Sequence, residues 1–117
     1  EGLIKRTFTA PNGTLLAARV ALHKGLSCHL AGGTHHAHRE FGSGFCMVND
    51  LAYAAKSLLA EGRVNKVLIF DLDVHQGDGT AAIEARHDPV VDQLTGSHAH
   101  ECPAGAGTGD DLLSKIH

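Results

Sequence analysis

An α/β layered fold is predicted, on three observations. Helix-like and strand-like segments alternate along the chain. One run, "KVLIFD" at 66–71, is continuously apolar before its aspartate, the pattern of a parallel strand buried on both faces. Two polar, glycine-bearing stretches, 31–47 and 71–79, each follow a strand candidate. In such sheets the functional crevice lies beyond the carboxyl ends of the strands, so both stretches are expected on one edge.

The elements follow in order. Asn12-Gly13-Thr14 reads as a turn leading into a helix. Leu15, Ala18 and Leu22 recur at helical spacing beside Leu16 and Val20, and Gly25 is a stop. "LSCHL", 26–30, is a short strand candidate. Residues 31–47 form a long Gly- and His-rich loop, a length that carries function in compact domains. Asn49 or Asp50 caps a second helix through Leu51, Ala54, Ala55, Leu58 and Leu59, ended by Gly62. After the "KVLIFD" strand comes a short helix at 80–86. "PVVDQL" at 89–94 is a weaker strand, "PAGAGTG" at 103–109 a loop, and "DDLLSKIH" at 110–117 a last helical turn or two.

With 117 residues, one domain covering 1–117 is expected. Hydrophobic residues make up 43%, which argues against disorder. A net charge of −3 gives no footprint for nucleic acid, and no apolar run is long enough to cross a bilayer. No signal peptide opens the sequence, and Cys28, Cys46 and Cys102 lack paired spacing. Both suit a reducing, cytoplasmic setting.

Ten histidines beside a single Tyr is the unusual feature. His35, His36 and His38 form one group, His98 and His100 another. In "DLDVHQGDG", 71–79, three carboxylates crowd together and need compensation. In an extended segment Asp73 and His75 would face one point, which suits a divalent metal such as zinc. The alternative is a turn or cap cluster, since two ligands do not make a site. His35 and His36 could act as general base and acid if carboxylates orient them, and Asp71 and Asp78 are available. The alternative there is a pair of solvated loop histidines. Phe41 and Phe45 flank Gly42-Ser43-Gly44 and either wall an apolar slot or pack beneath the loop. Cys46 is a nucleophile only with an activating base, and is otherwise a structural thiol.

"AGGTHHAHREFGSGFCMVND" at 31–50, then "VLIFDLDVHQGDGTAAI" at 67–83, with "NGTLLAARVAL" at 12–22 before them, closely resembles the histone deacetylase family. That family includes the bacterial acetoin-utilisation and acetylpolyamine amidohydrolase relatives. Gln76, where many members carry a second histidine, looks like the class IV branch and its bacterial kin. The resemblance implies a three-layer αβα, arginase/deacetylase-like domain with a mainly parallel sheet, here truncated. It implies zinc held by Asp73 and His75, and catalytic His35 and His36 with Asp71 and Asp78 as partners. Gly44 and Phe45 would line the acyl channel. A monovalent cation such as K+ would sit near Asp71, Asp73 and His75, with Thr95 or Ser97 offering a hydroxyl. The implied reaction is hydrolysis of acetyl-lysine in a protein, or of a small acylated amine.

The family's third zinc ligand and its oxyanion tyrosine have no counterpart here. Tyr53 falls in the second helix, and His98, His100, Glu101 or Asp110 are the substitutes to consider as ligand. The competing expectation is an inactive, metal-binding or self-associating fragment of the fold. A sheet cut at both ends exposes edges, so a homo-oligomer is expected.

Overall fold

The structure is a computed structural model that describes residues 2–84 and, for the backbone, 91–95. Its elements are α1 (Gly2–Lys24), α2 (Asp50–Ala60), β1 (Val67–Asp71), α3 (Asp78–Glu84) and β2 (Val91–Thr95). Strands β1 and β2 pair in parallel, Val67 opposite Val91 and Asp71 opposite Thr95. The expected segments beyond residue 95, with Ser97, His98, His100, Glu101, Cys102 and Asp110, lie outside the described residues.

Helix α1 corrects the turn expected at 12–14, because the helix runs straight through Pro11, Asn12 and Gly13. Turn chemistry yields here to packing. Pro11 and Leu15 are buried, and the Asn12 amide donates to the Phe8 carbonyl one turn back. Gly13 has a tertiary reason: a Cβ there would lie 2.5 Å from Nε2 of His29. His29 itself is held, its Nδ1 2.9 Å from the Thr14 hydroxyl. That contact accounts for a second correction. Residues 26–30 form no strand but an irregular segment pinned to α1 through His29, with Leu26 and Leu30 exposed.

The helix ends follow the sequence closely. Gly25, at φ 86°, donates to the Ala21 carbonyl and stops α1 in the left-handed conformation. Asn49 caps α2, its side chain accepting from the Ala52 N–H at 3.0 Å. At the other end Gly62 (φ 65°) donates to Leu59 and Arg63 donates to Leu58, a Schellman ending. Arg19 of α1 pairs with Glu61, and Arg63 joins it at 2.7 Å. These pairs are at the surface and contribute little.

Two apolar clusters seat α2. Leu15, Ala54 and Leu58 pack with Ala18 and Val64 between α1 and α2. Ala55 and Ile69 pack with Leu51, Leu59 and Val67 between α2 and β1. Burial along β1 alternates. Ile69 and Asp71 face the helix, while Leu68 and Phe70 are exposed. The expectation of a strand buried on both faces is thus not met among the described residues. Helix α3 starts two residues earlier than expected, at Asp78. Its second residue packs against backbone, since a Cβ on Gly79 would lie 2.5 Å from the His36 and Ala37 carbonyls. Backbone cannot step aside as a side-chain tip can. Gly79→Ala is therefore expected to destabilise the fold by ~1–3 kcal/mol, measured by chemical denaturation. No helix of the described residues is long and apolar enough to cross a membrane.

Candidate functional site

The loop 31–48 and the segment 71–78 meet beyond the carboxyl end of β1. Two buried residues hold the loop backbone. The Asn49 amide donates to the carbonyls of His35 (3.3 Å) and Ala37 (3.1 Å) and to the Thr80 hydroxyl (2.9 Å). The Thr80 N–H donates to His35 O at 3.0 Å, so the cap of α2 and the first turn of α3 clamp the histidines from both sides.

Asp50 fixes the residues just upstream. It is 0% exposed and accepts from the N–H groups of Gly33 (3.0 Å) and Thr34 (2.7 Å) and from the Thr14 hydroxyl (2.5 Å). The Thr34 hydroxyl lies 2.7 Å from it as well. Burial alone would raise the pKa of Asp50, but the hydrogen bonds from Thr14, Thr34 and Gly33 together bring it below its ordinary value. Gly32 makes room for this contact, since a Cβ there would lie 2.7 Å from the Asp50 carboxylate.

Each of the three loop histidines faces an aspartate. His35 Nδ1 lies 2.6 Å from Asp71 Oδ2, both side chains buried. His36 Nδ1 lies 3.0 Å from Asp78 Oδ1, and His38 Nε2 lies 3.2 Å from Asp78 Oδ2. An ionised carboxylate only accepts, so each of these ring nitrogens carries the hydrogen. That leaves Nε2 of His35 and of His36 with a lone pair. The two rings are 4.2 Å apart, edge on. Hydrogen bonds from His36, then from His38 and the Gly79 backbone, hold the Asp78 carboxyl below its usual range.

Strand β1 ends at Asp71 and the chain bends at Val74 and His75, which corrects the extended geometry expected for Asp73 and His75. The Asp73 N–H donates to Asp71 Oδ1 at 2.9 Å, and the His75 N–H to Asp73 Oδ1 at 2.7 Å. Two successive Asx turns coil the chain back. Asp73 and His75 meet all the same, Oδ1 to Nδ1 at 2.8 Å, both exposed to solvent. The backbone and side-chain bonds from His75 keep the Asp73 carboxyl below its ordinary value. His35 Nε2 lies 4.0 Å from the same Asp73 Oδ1, which links this pair to the histidine loop.

Asp73 and His75 supply a carboxylate oxygen and an imidazole nitrogen side by side, a donor chemistry that fits zinc. Among the described residues, no group of three or more His, Cys, Asp or Glu side chains is arranged to hold a metal ion. Tyr53 is directed elsewhere, its hydroxyl donating to Asn12 at 3.1 Å.

Gly44 and Phe45 are the central residues of a tight turn closed by mutual Ser43 and Cys46 backbone bonds of 3.0 and 2.7 Å. Both have positive φ, 52° and 62°, a type I′ turn. Gly44 lies against His36, where a Cβ would collide with the ring. Phe45 does not pack beneath the loop, since its ring is fully exposed. Phe41 instead stacks on His38, centroids 4.3 Å apart. Sequence reasoning missed His38, Asp50 and Thr80 as parts of this site. The His38 spacing from the tandem pair was visible, whereas the burial of Asp50 and Thr80 shows only in three dimensions.

A family model described as the histone deacetylase domain matches residues 1–108. An uncharacterised protein of Picosynechococcus is 54% identical over 90 residues, 77% of this chain and 30% of its own length. A probable deacetylase of Archaeoglobus fulgidus is 35% identical over 113 residues, 92% of this chain and 30% of its own. A crystal structure of a histone deacetylase homologue from Aquifex aeolicus superposes with a TM-score of 0.66 at 32% identity, over 74% of this chain and 23% of that one. The chain thus spans about a third or less of the length of these relatives. With two neighbouring histidine–aspartate pairs at a strand's end and a family match over nearly its whole length, the chain belongs to the histone deacetylase family.

Proposed function

We propose that this chain carries the proton-transfer half of a zinc-dependent deacetylase acting on acetyl-lysine or a related acylated amine. The observation that carries the reading is the pair of adjacent imidazoles, each bonded through Nδ1 to its own carboxylate. Asp71 and Asp78 fix the tautomers and the ring orientations, so that both Nε2 atoms present a lone pair. His35 is buried beside Asp73, so its lone pair borders the place where the reacting water would stand. His36 is the more open ring and is suited to pass a proton to the leaving amine. Asp73 and His75 would hold the zinc, which when bound polarises an acyl carbonyl and acidifies water. A monovalent cation near Asp71, Asp73 and His75, and the full three-layer domain with its larger sheet, belong to the same reading. So does a bacterial cytoplasmic setting.

The Gly44–Phe45 turn would form the rim of the acyl slot beside His36. A phenylalanine at positive φ costs roughly 1–2 kcal/mol, a strain this position retains with its ring in solvent. Phe45→Gly is expected to raise stability by about 1 kcal/mol while raising KM for an acetyl-lysine peptide. An unchanged KM would remove Phe45 from the slot.

The test of the function is metal content per chain, with deacetylation assayed before and after chelation. About one zinc per chain, with activity lost on chelation and restored by zinc, supports the deacetylase. Absence of both metal and activity supports the second reading, a non-catalytic member of the fold. That reading is favoured by one observation, the engagement of Tyr53 with Asn12 away from the site. Self-association is expected in either case, because Leu68, Phe70, Leu72 and Val74 are all exposed along one short segment. A monomer by light scattering at micromolar concentration would refute it.

A further inference from the structure

We infer that His38 is a positioning residue, whose imidazole holds the second oxygen of Asp78 so that the first stays on Nδ1 of His36. The inference rests on the reading of His36 and Asp78 as a working pair. The two pairs in the site are not equally secure. Asp71 is buried and bonded on both oxygens, by His35 and by the Asp73 N–H. Asp78 sits at the first residue of α3 with its side chain 46% exposed. A carboxylate in that place can turn about its own bonds toward water or toward the N–H groups of the helix start. Without His38 its remaining donors are His36 and the adjacent Gly79 N–H, and a turn toward that N–H would loosen its hold on the His36 ring.

His38 supplies the second bond, at 3.2 Å from Oδ2. Its backbone N–H donates to the Phe41 carbonyl at 3.0 Å, which brings residue 41 back over residue 38, and the Phe41 ring lies flat against the imidazole, 18° from parallel. The exposed Phe41 ring thereby braces His38 from one side. One carboxylate then receives two N–H donors from a single loop, and both tautomers follow from it. His36 keeps its hydrogen on Nδ1 and its lone pair on Nε2, and His38 keeps its hydrogen on Nε2.

The test reads the tautomer of His36 directly, by 15N chemical shifts of the imidazoles of the full chain at a pH where they are neutral. Two variants are compared. His38→Phe keeps a ring to stack on Phe41 and removes the donor, whereas His38→Gln replaces Nε2 with an amide N–H at similar reach. His36 is expected to be almost wholly Nδ1–H in the parent and in His38→Gln. In His38→Phe it is expected to become a mixture of both tautomers, with His35 unchanged in every form. A His36 signal that stays wholly Nδ1–H in His38→Phe overturns the inference. So does a His38→Gln variant that behaves as His38→Phe. Equal disturbance of His35 would mark a general collapse of the loop and overturn it as well. The measurement needs neither metal nor turnover, so a failure of the deacetylase reading itself is seen separately, in the zinc and activity assay.

Discussion

Alanine at both His35 and His36 is expected to abolish turnover of an acetyl-lysine substrate while leaving the chain folded and able to bind zinc at Asp73 and His75. General acid and base groups each contribute ~10²–10⁴ in rate. The two act on one proton path, so the double variant should lose about as much as the worse single one rather than the product. The structural cost is smaller for His36 than for His35. His36 is half-buried, and its removal frees a carboxylate that water can reach. Removing His35 leaves Asp71 buried with one partner fewer, so some stability is lost too. His35→Asn, which can still donate to Asp71, separates the two effects. Stability should recover with it and activity should not. Measurement of kcat/KM and denaturation midpoints on the double variant, the two single alanine variants and His35→Asn checks this, and residual activity near the parent's in the double variant would end the assignment.

Asp50→Asn is expected to have the largest effect on stability, a loss of about 2–4 kcal/mol by chemical denaturation. The carboxylate is fully buried and takes the N–H groups of Gly33 and Thr34 and the hydroxyl of Thr14. An amide in its place turns one acceptor into a donor facing donors. The pH dependence follows from the sign of the shift. The folded pKa of Asp50 lies below its ordinary value, so the unfolded chain binds the proton more readily. The stabilisation is therefore complete above the unfolded value of about 4 and is lost as the pH falls through the folded one. Asp78 shifts the same way and adds to the slope. The parent should lose stability steeply below about pH 4, and Asp50→Asn should lose less over that interval. Parallel curves would mean that Asp50 carries no such linkage.

Most of what lies near the site was legible in the residues, and the reason differs from place to place. Gly25, Asn49 and Gly62 mark helix ends because each solves a local backbone problem that no distant contact can undo. The meeting of the His35-His36 loop with the 71–79 segment was expected from two strands ending on one edge; it occurs, but only 71–79 follows a strand, because 26–30 form none. Asn-Gly at 12–13 misleads because it is a local signal, and burial of Pro11 and Leu15 outweighs it. "LSCHL" has strand composition, but its histidine bonds to Thr14 and holds the segment against a helix. The alternate exposure along β1 was equally hidden, since an apolar run does not say which of its faces is covered. The second role of Asp50 could not be read at all. A carboxylate beside a cap looks like a cap, and the Gly33, Thr34 and Thr14 groups that fill it come from 16 to 36 positions away.

The imidazole–carboxylate pairs His35–Asp71, His36–Asp78 and His38–Asp78 share one topological property. In each, the base lies before Gly62 and the acid after it. The two polypeptide halves on either side of that glycine are therefore chemically complementary, one holding the loop imidazoles and the other the carboxylates that orient them. Cleaved there, neither peptide would hold a whole pair of the histidine loop, although Asp73 and His75 would stay together on the second. Mixing them would restore the pairs together, so that the recovered Nδ1–H signals would report reassembly as directly as any change in size.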